Sequence, residues 1–593
     1  MTPVRAMRLI SRRGFGAFLV HLLKVWVWVP RMFRRAMPVV STPDQRYELW
    51  LYLNVLSPSR LRRKRRAARR LRYRPTISLL MPTFDTEPEW LWGAVESVRR
   101  QIYPHWELCI ADDASTREDT RALLRELEAK EPRITVTYLE ENRGIAGATN
   151  AALETATGEF VGLLDHDDEL KPNALFEVVR TLNDRRDLDY LYSDEDKQEL
   201  DGRLTAAFFK PGWSPDLLMS VNYVTHFSVY RKELLDRLQG LREGFDGSQD
   251  YDLILRAMEL TDRIAHVPLP LYSWRKVPGS AAASLEFKGY AFEAGRRALE
   301  EAIRRRGHTG RVQEALVEGR YRVRYDIAGD PKVVIVLPTR DKVDLLRACV
   351  DSIRSKTTYR NYEIMIVDNQ SSDPETLEYL RSFDGRVFPY PHEFNYARMM
   401  NVAARAAGET DYLLFLNNDT EVISPEWIEA MVEQGQRTEV AMVGARLLFP
   451  NGRPQHEGIV IGLGGVASNV DHGGQYVGYF DLGETIRNCT AVTGACMLMR
   501  PEVFRELGGF EEKLRVAFND VDLCLRAREK GYLIVYTPHA LLYHAESSTR
   551  GALHPMEDDR FFCDRWGDPP DLDDPYYNPN LSRTLPFRID LGI

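Results

Sequence analysis

The stretch Leu163-Leu164-Asp165-His166-Asp167-Asp168-Glu169-Leu170 decides how this chain is read. The residues leading into it, Glu159-Phe160-Val161-Gly162, begin an apolar run that predicts a buried strand ending at Asp165. Acidic groups at the end of such a strand are costly to desolvate unless something positive belongs among them. Asp165 and Asp167 stand two residues apart, so in extended chain their carboxylates point the same way. That geometry suits a hard divalent cation that keeps several waters and is shared with a ligand's phosphates. The plainer alternative is an acidic loop capping a helix that starts near Pro172.

The chain makes this pattern twice, and internal repeats outrank single motifs. Asp411-Tyr412-Leu413-Leu414-Phe415-Leu416 runs into Asn417-Asn418-Asp419 at an offset of 252 residues. Ile77-Ser78-Leu79-Leu80-Met81-Pro82-Thr83 matches Val333-Val334-Ile335-Val336-Leu337-Pro338-Thr339, and the stretch ending Asp112-Asp113 matches the one ending Asp368-Asn369, both at an offset of 256. Later, Ser248-Gln249-Asp250-Tyr251-Asp252-Leu253 matches Phe518-Asn519-Asp520-Val521-Asp522-Leu523, each at the start of a predicted helix. A carboxylate in a first helical turn is commonly only a cap, but recurrence in both halves makes Asp250 and Asp520 candidates for chemistry.

Strands alternate with helices, as at residues 90–100 and 120–130, which predicts an α/β fold of two mostly parallel sheets covered by helices on both faces. Ligands of such sheets bind beyond the carboxyl ends of the strands. Thr83, Asp112, Asp113, Asp165 and Asp167 fall there in the first copy, and Thr339 and Asp368 in the second. At 593 residues the chain exceeds a single core. We divide it into a basic aromatic segment (1–75), a first domain (76–310), a linker (311–330) and a second domain with a C-terminal extension (331–593). Residues 291–306 predict a helix and 312–330 an edge strand and linker. The glycine-rich run 458–465 lacks the strand-to-helix setting of a phosphate loop and reads as a hairpin or loop.

Charge is unevenly spread. Residues 1–75 hold 19 Lys and Arg against Asp44 and Glu48, a balance of +17, which leaves −25 for the rest of a chain whose total is −8. Residues 15–29 are apolar apart from His21 and Lys24, too short to span a bilayer, with Trp26 and Trp28 suited to headgroup level. An interfacial helix is the expectation, ahead of a spanning helix or a signal peptide, which lacks a cleavage site. Residues 60–74 carry ten Lys and Arg and read as a clamp on an anionic membrane surface, with a solvated helix face as the alternative. No nucleic-acid module accompanies them, so no nucleic acid is expected as partner. The six cysteines lack metal-type spacing and read as structural thiols in a reducing compartment.

The ordered set of strand-Pro-Thr, strand-Asp-(Asp/Asn), the Asn142-Arg143-Gly144 segment, the acidic triplet and the (Gln/Asn)-Asp-x-Asp-Leu helix start resembles family 2 glycosyltransferases of the GT-A fold, over residues 76–280 and again over 331–550. The tandem layout, with Tyr321-Arg322-Val323-Arg324-Tyr325 and Asp574-Pro575-Tyr576-Tyr577-Asn578-Pro579, is similar to bacterial bifunctional transferases of O-antigen and capsule assembly, including rhamnosyltransferase-like ones. The resemblance implies an inverting enzyme that moves a sugar from a UDP-, dTDP- or GDP-sugar to a lipid-linked glycan at the cytoplasmic face of the bacterial inner membrane, held there peripherally. It implies donor contacts from Thr83, Asp112, Asp113, Asp165, Thr339 and Asp368. It further implies Mg²⁺ or Mn²⁺ on Asp165 and Asp167, and general bases Asp250 and Asp520. Where the second half has Asn417-Asn418-Asp419, the implied metal ligands are Asp419 and His544; the first-half counterpart of Leu542-Tyr543-His544 is Leu271-Tyr272-Ser273, so Ser273 stands in place of the histidine. Two other readings are carried: one active domain beside one that only binds acceptor, and a sugar nucleotidyltransferase, against which the lack of a Gly-rich basic loop at the first strand argues.

Overall fold

The computed structural model describes residues 42–54, 56–277, 285–470, 478–545 and 555–592. The expected interfacial helix at residues 15–29 lies outside them. Among the described residues no helix is long and apolar enough to cross a membrane.

Two sheets repeat one strand order. The first runs Ile134–Tyr138, Trp106–Asp112, Ile77–Thr83, Phe160–Leu163, Ser228–Arg231, Tyr190–Gln198, Ile264–Arg275, Glu169–Leu170. The second runs Arg386–Pro389, Tyr362–Asp368, Val333–Thr339, Tyr412–Leu416, Cys496–Met499, Val440–Leu448, Leu533–His544, Thr420–Val422. Alternating side chains of the central strands feed opposite cores: Ile77, Leu79 and Met81 enter one cluster and Leu80 the other. Val333, Ile335 and Leu337 are likewise divided from Val334 and Val336. A strand buried on both faces reads as a continuous apolar run, which is why these stretches showed no alternation.

The expectation of mostly parallel sheets is amended, because Glu169–Leu170 and Thr420–Val422 pair antiparallel at the edges and each sheet also reverses one inner strand. Ser228–Arg231 is antiparallel to both of its neighbours, and so is Cys496–Met499. A reversed strand begins at the edge where its parallel neighbours end. Its leading residues are therefore delivered to the site.

The halves are joined by a buried seam. Asp216 and Arg437 pair at 2.7 Å with both side chains almost wholly buried. Asn488 accepts from Ser214 Oγ and the Asp216 amide and donates to the Asp216 carboxylate. Residues 310–325 form a two-stranded hairpin, Gly310–Glu314 with Tyr321–Tyr325, whose Arg322 and Arg324 reach Glu433 in the second half. Helix Pro43–Leu53, closed by a capping box between Thr42 and Gln45, packs Tyr47 and Trp50 on Phe209, Val460 and Tyr577. Residues from both ends of the chain and from both halves thus share one apolar cluster.

Candidate active sites

In the first site, Thr83 is buried and its hydroxyl lies 2.7 Å from that of Thr86. Asp85 sits in the left-handed region, φ 45°, where its carboxylate accepts the backbone N–H groups of Thr116 and Arg117. Asp112 ends its strand with a side chain 1% exposed and an Oδ1 that has no hydrogen-bond partner. A buried acceptor left open at a sheet's carboxyl edge is what a ligand N–H or O–H would satisfy. Asp113 is used differently: its Oδ1 accepts the Arg143 N–H at 2.7 Å and its carbonyl accepts Asn142 Nδ2, which clamps the Asn142-Arg143-Gly144 turn. Burial pushes its carboxyl above the usual range. The expected donor contact at Asp113 is, in this geometry, an internal support.

Beyond the strand Phe160–Leu163, Asp165, Asp168 and His226 bring ligating atoms within 4.8 Å of one another. The register Gly162↔Val229 carries His226 opposite Asp165, and the two side chains stand 3.6 Å apart. His226 stacks on Tyr272 at 4.5 Å. The Tyr272 hydroxyl donates to Asp168 and accepts the Asp165 N–H, and Arg275 donates its backbone N–H to Asp168. Asp168 is fully buried, and burial, then the carboxylates of Asp165 and Asp167, push its carboxyl well above the ordinary value. The three-group cluster thus joins Asp168 to the expected Asp165, while the backbone carbonyl of Asp167 accepts from Arg275. Extended-chain geometry fails here because the strand ends at Leu163 and the acids lie on the turn that follows.

Asp250 occupies the first turn of helix Gln249–Ala257. It accepts its neighbour Tyr251's N–H at 2.8 Å and Asn222 Nδ2 at 2.8 Å. Burial raises its carboxyl above the usual range, with the nearby His226 opposing and Asp165 reinforcing the shift. The three-group cluster and the candidate base thus lie close enough for His226 and Asp165 to act on the Asp250 carboxyl. The neighbouring Asp252 is buried under Arg242 and Arg256 and is structural.

The second site is a cleft of about 800 Å³ lined by Thr339, Asn417, Asn418, Asp419, Asp520 and His544, among others. Asp368 accepts the Ser371 N–H at 3.0 Å. Asp520 repeats Asp250 in the first turn of helix Asn519–Glu529, accepts the Gly494 and Val521 N–H groups, and is likewise raised by burial. Asp419 lies 3.2 Å from His544 Nε2. Gln455 holds His544 Nδ1 at 2.6 Å, an acceptor that fixes the ring proton there and turns Nε2 toward Asn417 and Asp419.

The ladders also revise which residue matches His544. Thr420 pairs with His544, and Glu169 pairs with Ser273, so Asp168, the counterpart of Thr420, faces Trp274. Ser273 instead points to Asp196. The first site takes its histidine from the reversed strand's lead, where the second has Ala495, whose carbonyl accepts the Asn417 N–H. Each site has a histidine beside its acids, but from different strands. His226 lies in no motif, and sequence reasoning had no local signal for it.

The sequence model described as Glycosyl transferase family 2 matches residues 78–239 and 334–508, together more than half of the chain. A Sinorhizobium fredii protein, "Uncharacterized protein y4gI", is 43% identical over 531 residues, covering 87% of this chain and 58% of its own length. The "O-antigen biosynthesis protein RfbC" of Myxococcus xanthus is 42% identical over 540 residues, 89% of this chain and 42% of its own. The chain therefore spans about half the length of these relatives. Among solved structures, S. aureus TarS 1–349 in complex with UDP aligns at 21% identity over 38% of this chain and 65% of that one, with a TM-score of 0.31. On the strength of the two matched regions, each of which carries the central strands and the acidic turn of one site, the chain belongs to glycosyl transferase family 2.

Proposed function

We propose that the chain carries two inverting transfer centres that add sugars from nucleotide-diphosphate donors to a growing cell-surface glycan of the O-antigen or capsule type. The observation behind this reading is that each half sets a half-buried carboxylate, Asp250 or Asp520, in the first turn of a helix that faces the acidic carboxyl edge of its own sheet. The similarity to RfbC supports the polysaccharide assignment. In each centre the acceptor O–H gives its proton to the aspartate as its oxygen attacks the anomeric carbon, and the bond to the donor's phosphate oxygen breaks with the electron pair leaving on the nucleoside diphosphate. Attack opposite the leaving group inverts the carbon. Burial raises both carboxyls, and so strengthens them as bases toward neutral pH.

In the first site Asp165, Asp168 and His226 fit a divalent cation, Mg²⁺ or Mn²⁺, which would supply charge stabilisation to the departing diphosphate. Asp112, with its open Oδ1, would hold the donor's base or ribose. Helix Pro58–Ala68 buries Ala68 and exposes Arg62, Arg63, Arg65 and Arg66, a face suited to anionic lipid at the cytoplasmic side of the inner membrane.

A screen of UDP-, dTDP- and GDP-sugars on the full chain, repeated with Asp250→Asn and with Asp520→Asn, tests the reading. Two products, one lost in each variant, are expected. A single product lost in both variants would refute two centres.

A further inference from the structure

The two clefts share a backbone but not a charge. Asp85 and Asp341 are structural counterparts: both have left-handed φ, 45° and 55°, both donate their N–H to a serine hydroxyl, Ser115 or Ser371, and both accept the next two backbone N–H groups. Phe84 and Thr86 of the first site therefore correspond to Arg340 and Lys342 of the second. Both basic residues are exposed, both line the second cleft, and neither forms an ion pair among the described residues.

The acids change in the opposite sense. Asp112, Asp113, Asp165, Asp167, Asp168 and Asp250 correspond in turn to Asp368, Asn369, Asn417, Asp419, Thr420 and Asp520, so six carboxyl groups become three. The exchange runs the other way at one position: Asn150 and Asn401 bind equivalent turns, which matches Arg143 to Phe394, and Arg143 is drawn to Glu243 at 3.7 Å. Among the described residues no three-group cluster of metal-ligating side chains forms in the second cleft, where Asp419 and His544 stand 3.2 Å apart. The expectation of a metal on those two is thereby weakened by the donor set itself.

The first site, richer by three carboxylates, repels a diphosphate until a cation enters it, whereas the second, with three fewer and with two cations that form no ion pair among the described residues, can take the diphosphate directly. Building on the two-centre reading, we propose that the second centre binds its donor's diphosphate through Arg340 and Lys342 without a divalent ion, while the first requires one. The same chain then runs two different solutions to leaving-group charge.

Mn²⁺ binding and nucleotide binding test this separately on the full chain. By electron paramagnetic resonance, Mn²⁺ alone should bind once per chain and not at all to Asp165→Asn. Calorimetry with UDP, dTDP and GDP should give two nucleotide sites per chain, summed over the three, in Mn²⁺, and one in EDTA. The EDTA-resistant site should weaken about tenfold or more in Arg340→Ala/Lys342→Ala, the size of a lost charge-assisted hydrogen bond, and should be unchanged in Asp165→Asn. Both basic side chains are exposed, so the double variant should keep its fold. Two Mn²⁺ per chain with one retained in Asp165→Asn, or loss of all nucleotide binding in EDTA, would overturn the proposal. Fewer than two nucleotide sites in Mn²⁺ would instead overturn the two-centre reading.

Discussion

Replacing Asp250 by Asn removes a proton acceptor while leaving its surroundings a way to adapt. The carboxylate accepts two hydrogen bonds, from the Tyr251 N–H and from Asn222 Nδ2. The new amide oxygen can keep the first. Its NH₂ would face the Asn222 NH₂, but Asn222 Oδ1 is buried and has no partner, so a flip of that amide restores the second bond with donor and acceptor exchanged. The variant should therefore fold with its cleft intact and lose the base alone, which places the expected fall in transfer at about 10²–10⁴-fold.

Stability should move the other way. Burial raises this carboxyl above its unfolded value, so the native state is favoured most below the unfolded pKa, near 3.9, and loses stability as pH rises from there through the folded pKa. Asp250→Asn removes that loss. Its melting temperature at pH 7 should exceed that of the parent, and the gap should close below about pH 4. Product assays on each centre, nucleotide calorimetry and thermal scans across pH check the set. Transfer that falls in step with nucleotide affinity, or a melting temperature lowered at pH 7, would show that Asp250 serves the fold and that the assignment as base is wrong.

Asp520→Asn should behave less gently, because the Gly494 and Val521 N–H groups, one on each carboxylate oxygen, are backbone donors that cannot exchange roles; one faces an NH₂, and the cost should be about 1–3 kcal/mol by denaturant titration alongside loss of the second transfer. Arg437→Ala leaves Asp216 charged and buried in the seam and should destabilise the chain by about 3–5 kcal/mol, read from chemical denaturation monitored in both halves. Gly212→Ala would set a methyl 2.2 Å from the Pro575 carbonyl, and should cost about 1–3 kcal/mol in the same assay. Deleting residues 1–41 should release the protein from anionic vesicles in part and spare transfer to a soluble acceptor. Deletion through residue 75 should also expose the surface under Tyr47 and Trp50 and lower solubility, seen by size-exclusion chromatography.

Much of this was legible because duplication supplies its own control. A strand buried on both faces shows as an apolar run, and two runs at one offset, each followed by polar groups and later by an Asp-x-Asp helix start, locate both clefts and single out Asp250 and Asp520. Asp165 was legible for the same reason. Asp168 and His226 were not. Their meeting depends on a strand that reverses some sixty residues later and on a ladder register that no local pattern carries. The tripeptide matches Ser273 to His544, whereas the ladder shifts the match to Trp274. Asp252 and Asp522 look as catalytic in sequence as their neighbours, yet each lies under arginines because the helix turns its fourth residue inward. The seam between halves was invisible, since a lone Asp216 and a lone Arg437 carry no sign of each other.

What the two copies keep and what they exchange separates shape from charge. Left-handed Asp85 and Asp341, with their identical serine and backbone partners, hold the turn after the first strand in one conformation although the residues on either side differ in charge. The histidines move from one strand to another and still stand 3.6 and 3.2 Å from a carboxylate. Backbone geometry at the sheet's carboxyl edge is thus the shared requirement, as a nucleotide laid across both clefts in the same way would demand. The side chains between the turn and the acids are free to change because total charge, and not the identity of any one ligand, is what a diphosphate senses at this distance. Neutralising Arg340 and Lys342 alone would leave the second cleft with net negative charge and without the first cleft's three ligating groups, a combination present in neither copy.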